Sequence, residues 1–279
     1  MSGTVRMTRK VTFSSGHRYW INDLDEIQNR GLFGRWASRY NHGHNYVLDV
    51  TVEGLVDAST GMVVNIKRVD DALKAHILSQ FDQKSINDEI PAFASQSSSL
   101  ENLIQYIAEV LSHPGVLPTG ANLTNLRLEE MPRLFAELDL SKTSDMITLT
   151  RTYEFAASHR LHSPALSDAE NIELFGKCNN KAGHGHNYLL EVSVTGTPDP
   201  RTGMLADIGE VDRVVNELVV DRYDHKNLNE DIPEFDNRTT TSEVVSIEIF
   251  NRLKDHLPAK LQRIRLHETA RNIFEVSAP

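Results

Sequence analysis

The chain has 279 residues, of which 39% are hydrophobic and 24% charged, a balance typical of a globular protein with one large domain or two smaller ones. Its net charge of −10 and its scattered basic residues argue against a nucleic-acid binder, and no apolar stretch predicts a membrane helix or a secretion signal. The single cysteine, Cys178, excludes an intrachain disulfide, so we expect a soluble protein of a reducing compartment, the cytoplasm.

The chain repeats itself at a fixed spacing. Three short motifs recur 142 positions later: FSSGHR at 13–18 as FAASHR at 155–160, HGHNY at 42–46 as HGHNY at 184–188, and TGM at 60–62 as TGM at 202–204. The offset is constant from His17 to Glu101 and falls to 138 at Glu130, so the first half carries four extra residues near 113–124. So many collinear matches predict a tandem duplication. We therefore expect two domains, residues 1–142 and 143–279, with a junction near Leu140–Asp145.

Each half predicts the same order of elements. In the first half, a strand that ends at His17 is followed by a variable loop and by a second strand over 45–53, which is apolar at alternate positions. Turn residues at 57–61 close a hairpin, and apolar residues at helical spacing then predict helices over 66–77 and 100–111. Two closing strands, LTNLRLEE and PRLFAEL, complete the half. The order ββααββ, twice, predicts an α+β fold in which each half has a four-stranded antiparallel sheet with both helices on one face.

Histidines recur at matched positions in both halves. Each HGHNY motif places two histidines two residues apart on a strand, so both rings project from one face. A third histidine ends the neighbouring strand, and three neutral imidazoles leave one coordination position of Zn²⁺ open, as catalytic zinc sites do. The pattern predicts two zinc sites, one of His159, His184 and His186 in the second half and one of His17, His42 and His44 in the first.

A lone thiol and an Asp-His pair stand near the predicted metal of the second half. Cys178 lies six residues before His184 in a polar stretch, where a nearby cation would stabilise the thiolate, although a lone cysteine can also be a buried structural residue. Asp224 and His225 follow the first helix of this half, and a carboxylate can orient an imidazole. Cys178, Asp224 and His225 are therefore candidates for a base or nucleophile arrangement.

These residues carry a resemblance to a known family. Residues 151–277 resemble 6-pyruvoyl-tetrahydropterin synthase, with matching segments FAASHRLHSPALSDAENIELFGKCNN, GHGHNY, DPRTGML, YDHKNL, TSE and HETARN. The gap of five residues between Cys178 and His184 resembles the gap in this synthase, whereas the related 6-carboxy-tetrahydropterin synthase has a shorter gap. The resemblance implies two tunnelling-fold (T-fold) units, of the kind that close into three-membered rings that stack in pairs. We therefore expect a homotrimer that forms a double ring, about 94 kDa from three chains of 31.4 kDa, with each ring built from one kind of half.

The resemblance also implies roles for residues of the second half. It implies zinc on His159, His184 and His186, a catalytic set of Cys178, Asp224 and His225, and a pterin ring anchored by Glu268 with Thr241, Ser242 and Glu243 as substrate-binding residues. The implied reaction is a zinc-dependent lyase reaction, in which 7,8-dihydroneopterin triphosphate loses triphosphate and becomes 6-pyruvoyl-tetrahydropterin. The alternatives are an enzyme of the 6-carboxy-tetrahydropterin synthase type, a side-chain-cleaving pterin enzyme, and a pterin-binding assembly without turnover.

The first half departs from this pattern. It keeps the three histidines and Glu130, but Trp36 stands where the second half has Cys178, and Gln83 stands where it has His225. Neither side chain can exchange a proton near neutral pH. We interpret this half as a degenerate unit that serves as a structural partner, and the alternative is a different site with its own substrate.

Overall fold

The structure, a computed structural model, describes residues 3–141 and 146–279 and divides them between two units. Unit 1 comprises Met1–Leu149 and Gly196–Leu205, and unit 2 comprises Thr150–Thr195 and Ala206–Pro279. Part of the predicted junction, residues 142–145, lies outside the described residues. Within the described part of the chain, every helix is too short or too polar to cross a membrane.

Unit 1 contains the predicted four-stranded antiparallel sheet, extended by a fifth strand of only two residues. Its strands are β1 (Thr4–His17), β2 (His42–Leu55), β3 (Lys84–Ser85), β4 (Asn122–Met131) and β5 (Leu134–Asp139). Its helices are α1 (Glu26–Phe33), α2 (Ile66–Leu73), α3 (Ser79–Phe81), α4 (Ile86–Glu89) and α5 (Leu100–Ser112). Antiparallel pairing joins β1 to β2, β2 to β4 and β4 to β5, while the two-residue β3 runs parallel to β1.

Unit 2 repeats this arrangement. Its strands are β6 (Ile147–His159, of which the first three residues fall in unit 1), β7 (His184–Gly196), β8 (Lys226–Asn227), β9 (Lys260–Thr269) and β10 (Asn272–Ser277). Its helices are α6 (Asp168–Phe175), α7 (Ile208–Val215), α8 (Asp221–Tyr223) and α9 (Ser242–Leu253). The strand order is β10-β9-β7-β6, with β8 parallel to β6. The α+β fold with two T-fold units is therefore confirmed.

The core of each unit lies between the sheet and its helices. In unit 2, buried residues alternate along β7, where Tyr188, Leu190 and Val192 pack in one cluster with Val215 of α7 and Ile249 of α9. Alternate strand residues point to the same face of a sheet, so this pattern shows that the helices cover one face. Along β7 the opposite face carries the polar residues Asn187, Glu191 and Ser193.

Two helices occupy the segments that we expected to be variable loops. A capping box begins each of them, formed by Asp25 and Gln28 before α1 and by Ser167 and Glu170 before α6. In unit 1 the buried Asn29 side chain holds the preceding turn, because its Nδ2 donates to three backbone carbonyls at 3.0 Å. These helices have almost no buried apolar face, which explains why hydrophobic periodicity did not reveal them.

The first predicted helix of each half is interrupted. Five residues of π-helix, Lys74–Leu78 in unit 1 and Asn216–Val220 in unit 2, separate α2 from α3 and α7 from α8. The wider turn continues the apolar face into Phe81 and Tyr223, both fully buried. Directly after them come Asp82 and Asp224, so this segment sets the position of the residues that follow.

Candidate metal and acid–base site

Three histidines of unit 2 meet at one end of its core face. His159 is the last residue of β6, and His184 and His186 are the first and third residues of β7. One nitrogen of each ring lies within 4.8 Å of the others, and the ring centroids are 4.6 to 5.2 Å apart. Phe155 precedes His159 on β6 and Tyr188 follows His186 on β7, and their stacked rings close the core beneath the cluster.

The donor set fits a zinc ion. His159 donates from Nδ1 to the carbonyl of Thr240 at 2.8 Å, so the lone pair of Nε2 is free to bind a metal. Among the described residues, nothing forms a hydrogen bond with the buried His159 Nε2, His184 Nδ1 or His186 Nε2. Burial lowers the pKa of His159 and of His184, so both rings stay neutral as a metal ligand must be. Three buried nitrogens without partners, close together, are what a cation would satisfy.

Asp224 and His225 form an oriented pair beside this cluster. His225 has a φ of 57°, in the left-handed region, and its amide donates to the carbonyl of Ala156 at 2.6 Å. Asp224 accepts the Ala156 amide on Oδ1 at 2.7 Å, and its Oδ2 lies 2.7 Å from His225 Nδ1. The Ala156 amide and His225 lower the pKa of Asp224, so the carboxylate stays charged. The exposed imidazole shares a groove of about 450 Å³ with His186.

Cys178 lies apart from these groups in the described structure. It belongs to the 3₁₀ turn Gly176–Asn179 after α6, its thiol is free and half-buried, and its carbonyl accepts the Leu161 amide at 2.9 Å. It is neither a member of the histidine cluster nor a lining residue of the groove beside His225. The structure thus brings the histidines and the Asp-His pair together, while the role of Cys178 stays a prediction.

Glu268 faces the histidines from β9. Its Oε1 accepts the Ser242 hydroxyl at 2.7 Å, its Oε2 accepts the Asn272 amide at 3.0 Å, and Oε1 lies 3.8 Å from His159 Nε2 and 3.9 Å from His186 Nε2. Burial would raise the pKa of Glu268, but these hydrogen bonds and the histidines hold it below its usual value. The carboxylate is therefore charged and held near the cluster without touching it.

The two neighbours of Ser242 have different positions. Thr241 is the N-cap of α9, and its hydroxyl accepts the Val244 amide. Glu243 is exposed in the first turn of α9. Of the three residues that we expected to bind substrate, Ser242 supports Glu268, Thr241 begins the helix, and Glu243 has a carboxylate open to solvent.

The matching cluster of unit 1 contains a fourth group. His17, His42, His44 and Glu130 each offer one ligand atom within 4.8 Å of the others. His17 faces the carbonyl of Ser98 through Nδ1 at 3.0 Å, and Glu130 Oε1 lies 2.8 Å from His44 Nε2 and 3.4 Å from His17 Nε2. The sequence identified Glu130 only as a retained residue, and its contact with the histidines was missed.

Unit 1 keeps the backbone of the Asp-His site but not its imidazole. Gln83 has a φ of 60°, its amide donates to the Ser14 carbonyl at 2.7 Å, and Asp82 accepts the Ser14 amide at 3.0 Å. Trp36 lies on a 3₁₀ turn with the Arg35 guanidinium 4.3 Å from the centre of its ring. The frame that orients His225 in unit 2 therefore presents an amide in unit 1.

A second carboxylate of unit 1 is covered. Glu101, the match of Glu243, is 3% exposed and accepts the Leu205 amide at 2.6 Å, within a segment that belongs to unit 1. Beside it Ser99 donates to the carbonyl of Gly203 at 2.6 Å. Burial raises the pKa of Glu101 to about 7. The sequence did not predict this contact, which leaves Glu101 no opening for a ligand.

Comparison with known proteins agrees with this arrangement of two similar units. The sequence pattern of the 6-pyruvoyl tetrahydropterin synthase family matches residues 6–140 and again residues 148–279. The Drosophila melanogaster 6-pyruvoyl tetrahydrobiopterin synthase is 46% identical over 133 residues, which cover 47% of this chain and 79% of that protein. The human enzyme of the same name is 44% identical over 126 residues, 45% of this chain and 87% of that protein.

A solved structure is similar as well. The Caenorhabditis elegans 6-pyruvoyl tetrahydropterin synthase is 43% identical, covers 48% of this chain and 96% of its own, and aligns with a TM-score of 0.46. The Drosophila and human enzymes thus each correspond to about half of the chain, whereas the family pattern occurs twice. The chain belongs to the 6-pyruvoyl tetrahydropterin synthase family, and each of its halves carries one copy of the family's sequence pattern.

Proposed function

We propose that unit 2 is a zinc-dependent lyase that converts 7,8-dihydroneopterin triphosphate to 6-pyruvoyl-tetrahydropterin with release of triphosphate. As a member of its family the chain is a pterin-synthase lyase. The observation that supports the finer assignment is the cluster of three buried, unpartnered imidazole nitrogens beside the Asp224–His225 pair. A metal centre and an oriented proton carrier at one groove are what the elimination and the hydrogen shifts require.

His159, His184 and His186 hold the metal in this proposal. A bound Zn²⁺ supplies Lewis acidity to side-chain oxygens of the substrate, which makes the neighbouring C–H bonds more acidic. The Thr240 carbonyl fixes the His159 ring in the orientation that presents Nε2. Three protein ligands leave a position for substrate, since Glu268 is held away from the histidines by Ser242 and Asn272.

His225 moves a proton in this proposal, and Asp224 orients it. The carboxylate accepts the Nδ1–H, so Nε2 faces the groove as the basic nitrogen. The pair is fixed to β6 at both Ala156 hydrogen bonds, which limits rotation of the imidazole. By analogy with the family pattern, Cys178 supplies the second proton-transfer group, from a half-buried turn that lies apart from the histidine cluster.

Glu268 recognises the pterin ring in this proposal. A charged carboxylate can accept paired N–H donors from a 2-amino-4-oxopyrimidine edge. Each oxygen already accepts one hydrogen bond from the protein, and each has a further lone pair available. Thr241 contributes by fixing the start of α9, and the exposed Glu243 contributes an acceptor at the rim.

Unit 1 serves as a structural partner rather than as a second lyase. Gln83 replaces the imidazole, Trp36 replaces the thiol, and Glu130 contacts the histidines.

For the assembly we keep the prediction of a homotrimer that forms a double ring. Light scattering on the purified chain tests it, and a monomer or a dimer in solution would contradict it.

The test of the function is direct. Purified full-length protein, stripped of metal and reloaded with Zn²⁺, is incubated with 7,8-dihydroneopterin triphosphate while triphosphate release and pterin absorbance are followed. We expect release only with metal, and a product with the mass of 6-pyruvoyl-tetrahydropterin. A product with the mass of the 6-carboxy compound or of a side-chain-cleaved pterin would assign the alternative reactions. Tight pterin binding without any release would assign a binding assembly.

A further inference from the structure

We propose that unit 1 binds a divalent metal ion, of the class of Zn²⁺, in a closed site of four protein ligands, His17, His42, His44 and Glu130, where the ion is structural. The proposal goes beyond the lyase function of unit 2, because it concerns a different site with no catalytic role. Structural zinc sites are four-coordinate and leave no position for a substrate, in contrast to the open three-ligand sites of enzymes.

The position of Glu130 carries the proposal. Its Oε1 lies 2.8 Å from His44 Nε2. Each of the four residues offers one ligand atom, and these four atoms all lie within 4.8 Å of one another. The carboxylate is 6% exposed and the His17 ring is fully buried. His44 is half-buried, and His42 is exposed at the outer side of the cluster. A divalent ion would compensate the charge of the buried carboxylate and bond the imidazole nitrogens at the same time.

The surroundings of the carboxylate explain why the two units differ. In unit 2 the hydroxyl of Ser242 and the amide of Asn272 each hold one oxygen of Glu268. The matching positions of unit 1 are Leu100 and Leu134, two buried apolar residues that donate no side-chain hydrogen bond. Glu130 therefore has no such donors to hold it back, and it turns to the histidines.

The histidines of unit 1 are also oriented for a metal. The Ser98 carbonyl fixes Nδ1 of His17 at 3.0 Å, and the Ser98 hydroxyl bonds in turn to the Arg18 carbonyl at 3.1 Å. Such second contacts set ring direction and strengthen metal binding. His17 Nε2 and His44 Nε2 are buried and lie 3.4 and 2.8 Å from Glu130 Oε1, and the His42 ring packs against both of their rings, so one cation could bind all four residues.

The test measures metal rather than activity. The full chain is loaded with Zn²⁺, and zinc per chain is determined by mass spectrometry before and during a challenge with a chromophoric chelator. We expect two ions per chain, one released quickly and one slowly. Glu130→Gln should speed release of the slow ion by about tenfold or more, since it removes a charged ligand. The matched change Glu268→Gln should leave the slow ion untouched.

A second variant covers the case in which Glu130→Gln fails to fold, which circular dichroism would reveal. Leu100→Ser with Leu134→Asn gives Glu130 the two donors that Glu268 has, and we expect this pair also to speed release of the slow ion. Loss of the slow ion in His17→Ala, but not in His159→Ala, assigns it to unit 1. The proposal is overturned if both Glu130→Gln and the double variant release the slow ion at the original rate, or if unit 1 binds no ion.

Discussion

Asp224 accepts the Nδ1–H of its own sequence neighbour, His225, with Oδ2 and Nδ1 2.7 Å apart. Adjacent side chains of an extended strand point to opposite faces, so this contact needs the left-handed backbone that His225 adopts, with a φ of 57°. Hydrogen bonds to both backbone groups of Ala156 hold that conformation. The Asp224–His225 pair is therefore built locally and fixed to the sheet at one residue.

Asp224→Asn should lower turnover by about 10²–10⁴-fold with little change in KM, because the imidazole loses the carboxylate that fixes its tautomer. A general base works only when it is deprotonated, so the acid limb of the pH profile should shift in the same variant, a change that a merely structural role would not produce. The matched change Asp82→Asn removes the equivalent carboxylate beside Gln83 of unit 1 and should leave turnover as it was. Steady-state kinetics across pH decide between the two outcomes, and equal losses in both variants would argue against the assignment.

Cys178→Ala should abolish turnover while the zinc content and the circular dichroism spectrum stay unchanged. The thiol lies outside the histidine cluster, so its loss removes a proton carrier and not a ligand. Trp36→Ala, at the matching position of unit 1, is the control and should keep full activity. If Cys178→Ala loses zinc, or if it keeps full turnover, the role assigned to the thiol is wrong.

His184→Ala should lose one zinc per chain and all turnover together, because a three-ligand site cannot spare an imidazole. His42→Ala removes the matching ligand of unit 1 and should lower metal content while turnover persists. Zinc analysis and triphosphate release are measured on the same preparations. Turnover lost in His42→Ala but kept in His184→Ala would move the catalytic site to unit 1.

The metal-free protein should lose stability as the pH falls from about 4.5 toward 2. Burial acts to raise the pKa of Glu130, but His17 and His44, through hydrogen bonding and charge together, outweigh burial and lower this pKa to about 2. A carboxyl whose pKa is lower in the folded state stabilises the protein above its unfolded pKa, and this contribution is lost as the pH falls through the folded value. Glu130→Gln should cost about 1–3 kcal/mol near pH 6 and flatten this slope. Denaturant unfolding of both proteins at several pH values measures it, and parallel slopes would contradict the prediction.

The sequence by itself determined the tandem repeat, the order of the four long strands and two main helices of each half, the three-histidine sets and the adjacent Asp224–His225 pair. These features are local or periodic, so short stretches of the sequence are enough to predict them. It did not reveal α1 and α6, because capping boxes and the side chains of Asn29 and Asn171, rather than an apolar stripe, hold those helices.

Only the tertiary structure decided what surrounds each carboxylate. Glu130 and Glu268 are the same residue at matching positions, and their different contacts depend on Leu100 and Ser242, which lie on another element. The burial of Glu101 likewise depends on Leu205, 104 positions away. The hydrogen bonds of a charged group depend on which side chains the fold brings within about 3 Å of it, and so does its burial. Those neighbours come from other elements, so the residue spacing along one strand or helix does not predict them.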